Sequence, residues 1–249
     1  MLGENDLENF LEKGFVVVRK AFSREVAEQL LPYVWSRAGI DPNAPETWKT
    51  GHTQIEEVIT EGPVAKMFTE RYRQSVNRLA GQDRWHTKIG FGWVILRLPD
   101  GDEWYPPISG WHVDGIDFQH HVTSPEQGLV GIEMLSDIQP GGGGTAVRVG
   151  SHKFISRLLS RSEPHGISYL ELRKICDAAT DFPVEEITGE AGDLLWMHPH
   201  LIHARSPNTQ KTIRVAANRC IALHAPMVIE GRTEEEYSLV ERAIRLALA

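Results

Sequence analysis

At 249 residues, with 41% hydrophobic and 24% charged side chains, the chain is long enough for one large core, and its composition excludes a disordered or fibrous class. A formal net charge of -8 argues against a phosphate-backbone binder, whose affinity rests on clustered Lys and Arg. A small-molecule partner is therefore expected, and a nucleic acid is not. The start carries Glu4, Asp6 and Glu8 where a signal peptide would be basic, and no apolar run approaches the ~20 residues of a membrane span, so no membrane partner is expected. Only Cys176 and Cys220 are present, without zinc-like spacing, so reduced thiols in a cytoplasm are the expectation. Nothing in the composition sets an oligomeric state.

Leu7, Phe10 and Leu11 have helical spacing, and Gly14 can close a short helix over Asn5 to Lys13. Phe15 to Val18 is a β-branched run suited to a buried strand. Ser23 can cap a helix to about Ala38, ended by Gly39 and bent or broken at Pro32. Asp41 to Gly62 is punctuated by proline and glycine and reads as a loop or lid, with Trp48 as a packing anchor or pocket cover. Pro63 can begin a helix to Leu79, closed by Gly81. Strands are expected at Ile89 to Leu98, Gly128 to Ile138, Thr145 to Val149, Val184 to Ile187, Asp193 to His198 and Ile213 to Leu223. Ser151 to Arg161 and Ile167 to Ala179 read as helical or irregular, and Glu234 to Ala249 as an amphipathic closing helix.

Helices, then many short strands, then one helix predict a mainly β fold with flanking helices, a sandwich or jelly roll. The expected organisation is one domain over 1–249: a helical N-terminal layer to about residue 85, a β core over about 86–225, and a C-terminal helix over about 233–249. The run Gly141 to Gly144 is a tight connection and not a phosphate loop, since no Lys-Ser or Lys-Thr ends it.

The chemistry concentrates in Gly110-Trp111-His112-Val113-Asp114-Gly115. On an extended strand His112 and Asp114 project to one side, so one element offers an imidazole and a carboxylate, while Trp111 points the other way into the core. A second, distant histidine would complete a facial triad with open coordination positions. His198, His200 and His203 are the candidates, and Arg214, eleven residues after His203 on the next strand, settles the choice on His203. An arginine fork there could clamp a carboxylate through two charge-assisted bonds. His198, His200, His120 and His121 are expected at supporting or surface positions.

These motifs, in this order, resemble the phytanoyl-CoA dioxygenase family: Gly-Trp-His112-Val-Asp114-Gly, the glycines before Thr145 leading to Gly150-Ser151-His152-Lys153, and Gly192-Asp193 leading to His203 and Arg214. The early strand at Gly14 to Val17 and the Ser23-capped helix also fit, so the likeness spans about residues 7 to 225. It implies a double-stranded β-helix, a cupin-like jelly roll, and an iron(II)- and 2-oxoglutarate-dependent dioxygenase. It also implies that His112, Asp114 and His203 hold Fe(II) and that Arg214 meets the remote carboxylate of 2-oxoglutarate; Thr145 could be a further cosubstrate contact or only fill a β-branched strand position. Oxidation of a C–H bond by O2, most simply hydroxylation, would yield succinate and CO2 as co-products. Two positions depart from the family pattern: Arg205 replaces a small hydroxyl residue, and Val149 replaces a proline. Arg205 could meet an acidic group of the substrate or form a surface ion pair, and Arg97, Trp93 and Phe118 could line the substrate pocket. The carboxylate of Asp114 favours oxygenation over halogenation. A non-catalytic metal-binding protein on the same fold, or a metal-dependent hydrolase or isomerase, are the alternative functions, and neither accounts for Arg214.

Overall fold

A computed structural model describes residues 2–49, 51–86, 90 and 92–249. Helix α1 (Glu4–Lys13) ends at Gly14, whose φ of 87° is left-handed, and β1 (Phe15–Val18) follows at once. A side chain could not replace that glycine's hydrogen, because a Cβ would lie 2.5 Å from His152 Nδ1. In α2 (Arg24–Ala38) the Ser23 side chain caps Val26 N, and Pro32 does not break the helix. Pro32 and Glu28, whose carbonyl loses its helical donor, are both exposed, so water can satisfy that carbonyl while Leu30 and Val34 anchor the other face.

The expected loop at 41–62 contains β2 (His52–Ile55). Its polar residues hid it, because it is an edge strand that faces a cavity on one side. Trp48 is the packing anchor in this segment, its Nε1 donating to Asp41 O at 2.8 Å. The helix expected from Pro63 is divided: a short 3-10 turn at Val64–Met67 stops, and α3 (Glu70–Ala80) restarts where the Thr69 hydroxyl accepts from Tyr72 N. Strand β3 (Gly92–Arg97) is shorter than expected, and its predicted start at Ile89 lies outside the described residues.

The remaining strands are β4 (Leu129–Met134), β5 (Thr145–Arg148), β6 (Val184–Ile187), β7 (Leu194–Met197), β8 (His203–Arg205) and β9 (Arg214–Ile221). Both ambiguous segments are helical, as α4 (Ser151–Arg161) and α5 (Tyr169–Ala178), and α6 (Leu239–Leu248) closes the chain. A six-stranded sheet in the order β1-β7-β4-β9-β3-β2 faces a three-stranded sheet in the order β6-β5-β8. Both edge strands of the larger sheet, β1 and β2, thus come from the N-terminal third. All paired strands are antiparallel. This is the jelly-roll core, with helices against the outer face of the larger sheet.

Alternation along each central strand separates two cores. Val130, Ile132, Met134, Leu195, Met197 and Ala216 point between the sheets and meet Val147 and Ile187 from the smaller one. Leu129, Leu194, Trp196, Val215 and Ala217 point to the helices and join Leu30, Leu79 and Ile244. The β4 residue Glu133 also lies on that outer face, fully buried, and accepts from Tyr72 Oη at 2.8 Å and Arg219 Nε at 2.9 Å. The glycine run does not await a phosphate: Gly141 N and Gly144 N donate to the Glu186 carboxylate at 2.7 and 2.9 Å. No helix among the described residues is long and apolar enough to cross a membrane.

His198 and His200 are buried, in a cluster with His152, which rules out the surface positions among those expected for them. The His198 ring centroid is 5.0 Å from that of each neighbour, and the Ser156 hydroxyl meets His200 Nδ1 at 2.9 Å. Burial pushes the His152 imidazole down to about 4 and that of His200 to about 3, and lowers His198 strongly. All three are neutral in the fold, whereas in the unfolded chain they titrate near the ordinary value of ~6.5. Their contribution to stability is therefore complete above about pH 6.5 and is lost as pH falls from there through about 4. The urea midpoint is expected to drop steadily across that window; a midpoint constant from about pH 7 to about pH 5 would contradict the burial of these rings in neutral form.

Candidate metal centre and cavity

His112 and Asp114 are not on a regular strand. The segment is extended and makes one isolated bridge, in which His112 N donates to His203 O at 3.0 Å and His203 N to His112 O at 2.9 Å. That exchange appends the segment to the edge of the smaller sheet beside β8. The Nε2 atoms of His112 and His203 lie 3.2 and 3.5 Å from Asp114 Oδ1, and one ligand atom from each residue falls within 4.8 Å of the others.

Both imidazoles are oriented from behind. His112 Nδ1 lies 2.9 Å from Gly110 O and His203 Nδ1 3.0 Å from Leu201 O, so each ring donates its Nδ1–H to a backbone carbonyl and turns the Nε2 lone pair inward. Burial would raise the Asp114 carboxyl, but His203 and His112 outweigh it and hold the group below the usual carboxylate range. Burial acts oppositely on His203, where Asp114 prevails and raises the imidazole. An anionic oxygen facing two inward imidazole nitrogens is the donor set of a divalent first-row metal. The residues present fit iron(II).

His120 supports this loop. Its Nε2 lies 2.9 Å from Gly115 O, next to Asp114, and Phe118 packs against its ring with centroids 4.6 Å apart. His120 is thus buried behind the ligands, while His121 pairs with Glu163 at 2.9 Å. Trp111 is a core residue, 1% exposed, with the Arg148 guanidinium 4.2 Å from its ring centroid.

The ligands open into a cavity of about 880 Å³ between the two sheets, within the ~300–1,000 Å³ range of small-molecule sites. The sequence-predicted residues Arg214, Thr145, Arg97, Trp93, Phe118 and Arg205 all line it. Arg214 is buried at the start of β9, its Nε has no partner, and one terminal nitrogen reaches Thr145 Oγ1 only at 3.5 Å. Burial lowers this guanidinium to about 10, so it keeps its charge at neutral pH. A buried cation with an unused donor is costly unless an anion completes it, and the remote carboxylate of 2-oxoglutarate has the matching charge and fork geometry.

Arg97 is already neutralised: it donates to Asp100 Oδ2 at 2.5 Å and to Ser206 O at 2.8 Å. Trp93 sits at a register shift between β3 and β9 with a φ of 51°, a bulge that turns an aromatic side chain, 48% exposed, to the cavity mouth. Arg205 donates to His52 Nε2, whose imidazole is lowered by burial and by Arg205 and Arg97. It forms no surface ion pair among the described residues. Sequence reading missed His52 and Gln54 on β2, and Tyr169, Arg173 and Asp177 on α5, all of which line the cavity. The last three are spaced at i, i+4 and i+8, a helical stripe legible once the segment is known to be helical.

Residues 10–216 match the family described as phytanoyl-CoA dioxygenase (PhyH). The fold recurs in solved structures, among them the following three. HygX from Streptomyces hygroscopicus with nickel and 2-oxoglutarate bound is 17% identical, with a TM-score of 0.56 over 89% of this chain and 87% of that one. AviO1 from Streptomyces viridochromogenes Tue57 is 15% identical, with a TM-score of 0.57 over 92% of this chain and 98% of that one. EctD from S. alaskensis with 2-oxoglutarate and 5-hydroxyectoine is 17% identical, with a TM-score of 0.56 over 88% of this chain and 76% of that one. No curated protein sequence gives a significant match. A jelly roll whose cavity carries a His-Asp-His donor set is the architecture of a metal-dependent oxygenase, and the chain belongs to the phytanoyl-CoA dioxygenase family. It is an iron(II)- and 2-oxoglutarate-dependent dioxygenase, with O2 as its oxidant.

Proposed function

We propose that this enzyme hydroxylates a C–H bond of a small organic metabolite, releasing succinate and CO2, with His112, Asp114 and His203 as iron ligands and Arg214 and Thr145 as the 2-oxoglutarate anchors. The observation that carries this reading is one cavity in which three ligand atoms lie within 4.8 Å of one another and Arg214 keeps an unused buried donor. Iron(II), when bound, supplies dioxygen activation coupled to oxidative decarboxylation of 2-oxoglutarate. The chain does the rest by position. Gly110 O and Leu201 O fix the two imidazole tautomers, and the Asp114 carboxylate supplies the negative charge. Arg214 orients the cosubstrate by its far end, with Thr145 Oγ1 beside it. Ile95 and Ile132 form apolar wall that excludes water. The volume leaves room for an organic substrate beside the cosubstrate, and the neighbouring structures crystallised with small molecules support that class. A reducing cytoplasm, proposed from the sparse cysteines, would suit a ferrous site.

The test is incubation of the purified protein with iron(II), ascorbate and 2-oxoglutarate, alone and with pooled metabolite extract, measuring succinate and seeking products one oxygen atom heavier. Succinate formation that depends on iron and rises with extract is expected. Extract-stimulated succinate with products of unchanged oxygen content would overturn hydroxylation in favour of desaturation, cyclisation or epimerisation. No succinate under any condition would overturn the assigned roles of the site residues.

A further inference from the structure

The cavity wall contributed by α5 and the end of β8 is cationic in a way the metal and cosubstrate do not use. Arg205 lies two residues beyond His203 on β8, hence on the same face and about 6–7 Å further along the strand. Tyr169 and Arg173 stand one turn apart on α5 and line the same cavity. That helix is fastened to the ligand segment, because Asp177, one turn further on, accepts from Trp111 N at 2.9 Å. The stripe is therefore held in register with His112 and Asp114.

Among the described residues Arg173 makes no hydrogen bond or ion pair, and Arg205 has only the neutral acceptor His52. Burial raises the Tyr169 hydroxyl, and Tyr169, Arg173 and Arg205 line one cavity with the iron ligands. The cavity's acidic groups do not pair with the two arginines. Asp114 lies among the ligand atoms, Asp177 is taken by Trp111 N, and Asp117 and Glu126 make no ion pair with either arginine. Like charges gathered on a partly desolvated wall are unfavourable unless an anion binds between them.

We propose that Arg173, Arg205 and the Tyr169 hydroxyl form a subsite for an anionic group, a carboxylate or a phosphate ester, of the organic substrate. The proposal rests on the oxygenase reading for the identity of that ligand as substrate. Arg205 stands opposite Thr145 in the β5–β8 pairing, so the subsite lies beside the iron ligands and borders the cosubstrate pocket, and it orients the substrate from its charged end while an aliphatic portion reaches the metal. Trp93 and Phe118 supply apolar wall for that portion.

The test is calorimetric titration of the anaerobic, iron(II)- and 2-oxoglutarate-loaded protein with three probes of one shape: benzoate, phenyl phosphate and neutral benzamide. At least one anion is expected to saturate and to bind roughly tenfold or more tighter than benzamide, as expected for charge-assisted hydrogen bonds. The better of the two tells carboxylate from phosphate. Arg173→Gln and Arg205→Gln should each weaken that anion about tenfold, with 2-oxoglutarate affinity unchanged, and Arg173→Lys should recover most of the loss because charge is retained. The proposal is overturned if benzamide binds as well as both anions, if neither anion saturates at millimolar concentration, or if the glutamine variants bind as wild type. It is equally overturned if Arg205→Gln weakens 2-oxoglutarate, which would make that arginine a cosubstrate contact. Anion binding that obeys these expectations in a protein forming no succinate would remove the oxygenase reading and leave the subsite standing.

Discussion

Alanine in place of His112, Asp114 or His203 is expected to reduce 2-oxoglutarate-dependent succinate formation by far more than about hundredfold, exceeding the ~10–100-fold cost of losing a mere supporting partner of a metal ligand. The three atoms are close enough that each loss removes one of three protein donors, and no other group of three ligating side chains is assembled among the described residues. Removing Asp114 also leaves two inward imidazoles without the carboxylate that balances them. Iron affinity should fall in parallel, measured by titration of the metal-stripped protein, while the urea midpoint changes little. The His203 variant is the sharpest of the three, because its backbone exchange with His112 survives side-chain truncation and separates metal binding from sheet pairing. Wild-type turnover in any of the three after metal stripping and iron reconstitution would defeat the assignment.

Arg214→Lys is expected to raise the 2-oxoglutarate requirement by about ten- to over hundredfold, corresponding to the ~1.5–3 kcal/mol of a hydrogen bond to a charged group. Lysine keeps a positive charge but presents one ammonium where the fork would have grasped both carboxylate oxygens. The measurement is the apparent affinity for 2-oxoglutarate, with the unfolding midpoint as a check on folding. Arg205→Ala is the control and should leave that affinity near wild type. If Arg205→Ala weakens 2-oxoglutarate and Arg214→Lys does not, the carboxylate lies on the β8 side of the cavity and the departure at Arg205 marks a rearranged cosubstrate site.

Both experiments concern residues that the sequence makes legible, and the reason is local. The side chains of His112 and Asp114 fall on one side because they stand two apart in an extended segment, whatever that segment pairs with. Arg214 can be placed because it stands eleven residues after His203, at the start of the next predicted strand. Caps and breaks are legible where one residue decides them, as at Ser23, Gly14 and Gly39.

The failures share a different cause. β8 is three residues long and β2 is polar on its cavity face, so neither has a run or period of its own; each is a strand because β5 and β3 supply its hydrogen bonds. The same holds for the ligand segment, whose spacing predicts a strand and which one bridge and the contacts of Asp177 and His120 hold in place. Spacing cannot tell a supporting position from a surface one for His198 and His200, because their burial beside His152 depends on α4, whose Ser156 meets His200. Tyr169 and Arg173 carry no signal of their own, because a helical stripe identifies a face but not what it faces; α5 meets the ligand segment through Asp177 on Trp111 N.

Residue type, short-range spacing and apolar periodicity were enough to establish the donor chemistry, the order of its parts and the jelly-roll class, because each of these is written within a few neighbouring residues. The fold in three dimensions was needed to show that the three donor atoms converge within 4.8 Å, which arginines remain without an anion, and which helix walls the cavity. Those depend on contacts between residues far apart in the chain, and on whether burial and neighbouring partners leave a charge satisfied, neither of which has a local signature.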